Sequence, residues 1–172
     1  SGATSGSAAG GDAIVQDSSA TGSVTSSGSY ALGTGGLIGL SQNGSRGFTF
    51  DFMSFQQTYG GYGGIATVSR SFATGAVSSI YQRAGGLVGE NYGTIAQSFS
   101  TSNLTANHAA GGLVGVHWST GSISDSYARG SVSGNSAEIG GLVGITVGGS
   151  ITRSYATGAV TGSASSKGGL IG

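Results

Sequence analysis

The sequence predicts an all-β fold, a parallel β-solenoid (β-helix) of about six rungs with roughly 22–29 residues each, on three observations. The first is composition. Of 172 residues 37 are Gly, none is Pro or Cys, and 7% are charged, against about 25% in an ordinary domain. The second is recurrence: glycine pairs open at Gly10, Gly35, Gly63, Gly85, Gly111, Gly140 and Gly168, spaced by 25, 28, 22, 26, 29 and 28 residues. The third is the chemistry between the pairs, rich in Gly, Ser, Thr and Val. These residues disfavour helix and suit short strands between turns. A leucine-rich repeat would place several Leu at fixed offsets, where these units hold usually one. One rung cannot bury its own apolar face, whereas a stack of rungs can. The chain therefore reads as one solenoid domain, 1–172, with rungs starting near 10, 35, 63, 85, 111 and 140 and a partial rung from 168.

Each unit begins with the pair. Five pairs continue as GGLIG or GGLVG, at 35, 85, 111, 140 and 168, while those at 10 and 63 continue as GGDAIV and GGIATV, two shorter units that resemble each other. Glycine there permits positive φ and close backbone approach at a corner. Leu37, Leu87, Leu113, Leu142 and Leu170 are assigned to the core, and Gly39, Gly89, Gly115 and Gly144 close a short strand. The second half of each unit aligns without gaps as VQDSSATGSV (15–24), FTFDFMSFQQ (48–57), VSRSFATGAV (68–77), IAQSFSTSNL (95–104), ISDSYARGSV (123–132) and ITRSYATGAV (151–160). The Phe-rich block is read as a divergent rung, because Gly35 and Gly63 lie 28 apart and so hold phase.

Stacked rungs turn aligned positions into columns. Ser18, Asp51, Ser71, Ser98, Ser126 and Ser154 form one. Ala20, Met53, Ala73, Ser100, Ala128 and Ala156 follow two residues on, then a mostly Gly column and a Val/Leu column. Small residues ending in an aliphatic suit the inside of a narrow tube. The alternate parity holds Asp17, Phe50, Arg70, Gln97, Asp125 and Arg153, charges that would cost several kcal/mol unpaired inside, so this face is expected in solvent. Asp125 and Arg153, one rung apart, are expected to pair. Next on this face comes an aromatic column of Phe52, Phe72, Phe99, Tyr127 and Tyr155. Strict alternation sets it outside; a turn at the serine column would bury it.

Gly85–Leu104 and Gly140–Val160, with Gly111–Val132 close behind, follow the pattern GGLVG-x-N-x-G-x-I-x-x-S-Y-A-T-G-x-V. This resembles the GLUG repeat, found in large bacterial surface and secreted proteins such as filamentous-haemagglutinin-like adhesins. The likeness covers about residues 10–172. It implies an exported, extended β-solenoid, secreted or at the cell surface, and carries no catalytic residue.

The residues themselves point away from chemistry. A net charge of zero leaves no footprint for nucleic acid, and no apolar run is long enough for membrane insertion. His108 and His117 lack a third metal ligand at a ligand-like offset and are read as rim residues; no cofactor is expected. No G-x-S-x-G elbow occurs, and Asp125, Arg129 and Arg153 are the one group near enough together to suggest a carbohydrate-active site. The expectation is a non-catalytic stalk of an extracellular adhesin or exoprotein. Its rivals are a self-assembling filament subunit and a carbohydrate-binding or carbohydrate-active β-helix. Expected partners are a host or neighbouring-cell surface, a glycan, and flanking repeats or other copies stacked end to end. The candidate partner surface comprises Phe48, Phe50, Phe52, Phe55, Tyr59 and Tyr62, where bulky groups crowd normally small positions, together with Phe72, Phe99, Tyr127 and Tyr155.

Overall fold

A computed structural model describes residues 12–27, 33–42, 57–59, 66–80, 83–135 and 138–172. They form a parallel β-solenoid in which each turn contributes five short strand segments to five walls. The first wall stacks Ala13–Gln16, Ala66–Ser69, Thr94–Ala96 and the second halves of Val114–Ser124 and Val143–Thr152. The second stacks Ser19–Ala20, Phe72–Ala73, Phe99–Ser100, Tyr127–Ala128 and Tyr155–Ala156. Val24–Ser26, Val77–Ser79, Leu104–Ala106, Val132–Gly134 and Val160–Thr161 make the third. The fourth holds the residues that open the glycine pairs, Gly35, Gly85, Gly111, Gly140 and Gly168 in register. In the fifth, Ile38, Val88, Val114 and Val143 stack directly. A five-strand column is about four turns, and equivalent residues recur about every 28 positions.

The six expected rungs therefore become five stacked tiers spanning about four turns, and the tier that falls out is the Phe-rich block. Ala13 stacks on Ala66, Ser19 on Phe72 and Val24 on Val77, so residues 15–24 lie directly against 68–77 with no tier between. The likeness of GGDAIV to GGIATV has the same origin, since Val15 covers Val68. Between Gln42 and Ala66 the one described segment, the strand Gln57–Tyr59, pairs with the outer edge of Ile38–Gln42. The physical reason is space. A Cβ at Gly75 would overlap the Gly22 carbonyl oxygen one tier away, so a column assigned Phe55 between them has no room for it.

The tube is filled in two clusters. Leu37, Leu87, Leu113 and Leu142 pack with Val15, Val68, Ile95 and Ile123, while Val77, Leu104 and Val132 pack with Ala84, Ala110 and Ile139. Leu170 departs from its expected core role at 41% exposed, because no described tier covers it.

The corner between the first two walls carries the conformational strain. Asp17, Arg70, Gln97, Asp125 and Arg153, one per tier, all have φ between 45° and 50°, the left-handed region that costs about 1–2 kcal/mol per non-Gly residue. Among the described residues the pairs opening at 35, 85, 111, 140 and 168, in contrast, do not use positive φ. They are glycine for close approach: a Cβ on Gly85 would overlap the Val88 carbonyl oxygen, and one on Gly86 that of Gly112 in the next tier. The left-handed corner also shifts the alternation by one, so Val15 and Ser18 both point inward with two outward residues between them.

The serine after each left-handed residue locks that corner. Its hydroxyl donates to the carbonyl two residues back, as in Ser98 to Ala96 (2.8 Å) and Ser126 to Ser124 (2.7 Å). The same oxygen accepts the serine N–H of the neighbouring tier: Ser18 to Ser71, Ser71 to Ser98, Ser98 to Ser126 and Ser126 to Ser154, at 3.1–3.2 Å. Ser126→Ala leaves the buried Ser98 N–H without its acceptor and is expected to cost about 1–3 kcal/mol in urea unfolding. A change below about 0.5 kcal/mol, the range of a neutral surface substitution, would show that the ladder does not hold the corner.

Candidate functional site: the outer aromatic strip and a buried polar corner

The rings of the second wall face outward. Phe72, Phe99, Tyr127 and Tyr155 stack with centroids 5.0, 4.9 and 5.2 Å apart and planes within 3°, 2° and 9°. Ala73, Ser100 and Ala128 alternate with them and point into the core. The faces of the middle rings are covered by one another, leaving their edges to solvent. Ser19 pairs directly with Phe72 and continues the column below it. Phe48, Phe50, Phe52, Phe55 and Tyr62 lie outside the described residues, and Tyr59 ends the edge strand Gln57–Tyr59. The structure thus brings together the four ladder residues of the expected surface.

Beside the strip, Arg129 takes a position that is Thr74, Thr101 and Thr157 on other tiers. Its guanidinium carbon lies 4.8 Å from the Tyr127 ring centroid, in the range of a cation–π contact. The neighbouring Tyr155 and Tyr127 side chains favour the charged form of Arg129. The expected Asp125–Arg153 pair is present and bidentate: Arg153 Nε donates to Oδ1 at 2.6 Å and Nη2 to Oδ2 at 2.7 Å. Arg70 grips Asp17 in the same way at 2.8 and 2.9 Å. Both carboxyls are held below the usual range, chiefly by these hydrogen bonds. At the surface solvent screens both pairs, so they add little to stability.

A second group sits where the fifth wall turns into the first. Glu90 is buried, yet its Oε1 accepts from Arg83 Nη1 at 2.7 Å and its Oε2 from Trp118 Nε1 at 3.0 Å. Tyr92 stacks on Trp118 at 5.1 Å. Sequence reasoning stopped at the pentads and missed these residues. The signal was there one step further on: Glu90-Asn91-Tyr92 and Val116-His117-Trp118 occupy the same offsets, and Glu90 over Val116 and Asn91 over His117 are in register.

His117 corrects an expectation. It is fully buried, not a rim residue, while His108 is exposed. Asn91 is locked by Gly93, whose N–H donates to Oδ1 (3.1 Å) and whose carbonyl accepts from Nδ2 (3.0 Å). Asn91 Nδ2 therefore donates also to His117 Nδ1 (3.2 Å), which must be an unprotonated acceptor with the ring proton on Nε2. Burial depresses the His117 pKa below the ordinary 6.5, and the Ser150 backbone offsets this in part. The unfolded chain thus binds the proton first, so stability is full above about pH 6.5 and falls as pH drops below it. Urea midpoints should decline between pH 7.5 and pH 5, and His117→Gln should flatten that decline. An unchanged slope would place the acid sensitivity elsewhere.

Among the described residues no group of three or more His, Asp or Glu is placed to hold a metal ion. Comparison with family models finds the motif named GLUG at residues 106–133 and 135–161. The chain carries GLUG repeats. Each GLUG match runs once around the tube, from the third wall of one tier to the third wall of the next. The comparisons with curated proteins and with solved structures each return no match.

Proposed function

We propose that this GLUG-repeat solenoid is a non-catalytic structural segment of a secreted or surface-exposed bacterial adhesin or exoprotein, presenting a rigid outer face for adhesion to a cell surface or glycan. The observation that carries this reading is the outward aromatic strip, an ordered row of ring edges on strands fixed by serine and glycine columns inside. The rival enzyme reading needs a carboxyl held protonated as a general acid. Asp125 is the reverse, kept ionised by Arg153.

The test is adhesion of protein-coated beads to cell monolayers under flow. Beads bearing the folded chain should hold, and beads bearing the heat-unfolded chain should wash off. Equal retention of the two, or release of reducing ends from a polysaccharide panel by the soluble protein, would contradict the proposal.

A further inference from the structure

The strip is not uniform along its length, and the asymmetry selects a ligand. Its first two rings are Phe72 and Phe99, with no polar edge; the last two are Tyr127 and Tyr155, whose hydroxyls lie on the outer side. Arg129 joins only this second half, its guanidinium over the Tyr127 ring at 4.8 Å and beside Tyr155. Of the four described arginines, Arg70, Arg83 and Arg153 are each paired with a carboxylate. Arg129 is exposed and has none among the described residues. A guanidinium pinned on a ring has already lost much of its rotamer freedom, so it can grip an incoming anion at a lower entropic cost than a free side chain. Thr101 and Thr157, exposed in the same column one tier to either side, add hydroxyls along the line of the strip.

We infer that Tyr127, Arg129 and Tyr155 form a binding site for a carboxylate-bearing polysaccharide, with Arg129 taking the uronate and the tyrosine and threonine hydroxyls bonding the sugar hydroxyls. This rests on the surface-presentation reading above and names its ligand. A planar carboxylate matches the guanidinium fork, as Asp17 and Asp125 do for Arg70 and Arg153 in this molecule. A single guanidinium without a carboxylate partner on the described strip suits a sparsely charged polymer, not a densely sulfated one. A straight, hydroxyl-lined strip with covered ring faces suits an extended polyhydroxy chain better than a peptide, which would seek apolar pockets or a free strand edge.

Isothermal titration of the full chain with oligogalacturonate, neutral dextran oligomers, heparin oligomers and poly-Glu tests the inference. Oligogalacturonate should bind, more weakly at higher salt, and ahead of the other three. Arg129→Thr restores the residue of the neighbouring tiers, so it should melt like the parent while losing about tenfold or more in affinity. Arg129→Lys, which keeps the charge without the fork, should fall between them. The pair Tyr127→Phe and Tyr155→Phe copies the ladder of the first two rings and should weaken binding a few-fold. No binding, equal binding of dextran, heparin or poly-Glu, or parental affinity in Arg129→Thr would overturn it. Retention of the coated beads with parental affinity in Arg129→Thr would overturn this site while leaving the adhesive surface standing.

Discussion

Gly111→Ala is expected to abolish the folded state or to cost more than about 4 kcal/mol, the range reached by few single substitutions. A Cβ there would overlap the Val114 carbonyl oxygen and come within 2.6 Å of the Gly144 nitrogen and 2.8 Å of the Leu142 carbonyl oxygen. All three obstacles are backbone, and two belong to the next tier, so relief requires separating the tiers that make the fold. Gly22→Ala is the internal control, since a Cβ at Gly22 meets nothing within 4 Å. It should change stability by no more than about 0.5 kcal/mol. Circular-dichroism melts of the two variants check this, and a Gly111→Ala protein melting within a few degrees of the parent would contradict the tight tier packing described above.

Leu113→Ala should lower stability by about 2–5 kcal/mol, the cost of a cavity in a core that cannot collapse around it. For a chain of this length that is on the order of ten degrees in melting temperature. Leu113 is fully buried between Leu87 and Leu142, which belong to the same cluster on adjoining tiers. Leu170 stands at the same place in its pentad but is 41% exposed, so Leu170→Ala should cost less than about 1 kcal/mol. Similar losses in the two variants would mean that the pentad leucines do not share one stacked core.

Much of this architecture was legible because a solenoid repeats its environment. Once Gly85, Gly111, Gly140 and Gly168 are aligned, the serine, alanine and valine columns inside and a stacked aromatic column follow, as does the Asp125–Arg153 pair; whether the rings face out did not, because it turns on the backbone at the serine corner. The Phe-rich block misled because its length imitates a turn, so glycine spacing alone could not separate an insertion from a tier. The steric criterion could have: Met53 and Phe55 fall in columns where neighbouring backbones leave no room for them. The left-handed corner was hidden for a different reason. Arg70, Gln97 and Arg153 have no preference for positive φ, and the device that holds them there is the serine that follows. That serine was visible as a nearly unbroken column, but its double hydrogen bond was not. Glu90 escaped because its position is apolar on the neighbouring tiers, Leu40 and Val116, and His117 because its column of Ser41, Asn91 and Thr146 is polar and reads as solvent-facing. Their burial depends on Arg83, Trp118 and Asn91, partners that only the folded chain brings near.

The direct contact of the first tier with residues 66–91 is the claim on which the column assignments rest, and the absence of native cysteine makes it testable by disulfide trapping. Thr25 and Ser78 are backbone partners on adjacent parallel strands, about 4.8 Å apart and within reach of a disulfide. Thr58, which a six-rung stack would place between them, instead lies against Ser41. The double variant Thr25→Cys with Ser78→Cys should therefore oxidise readily to an intramolecular disulfide, and Thr58→Cys with Ser78→Cys should not. Efficient trapping of the second pair and failure of the first would restore the intervening rung and contradict the fold described here.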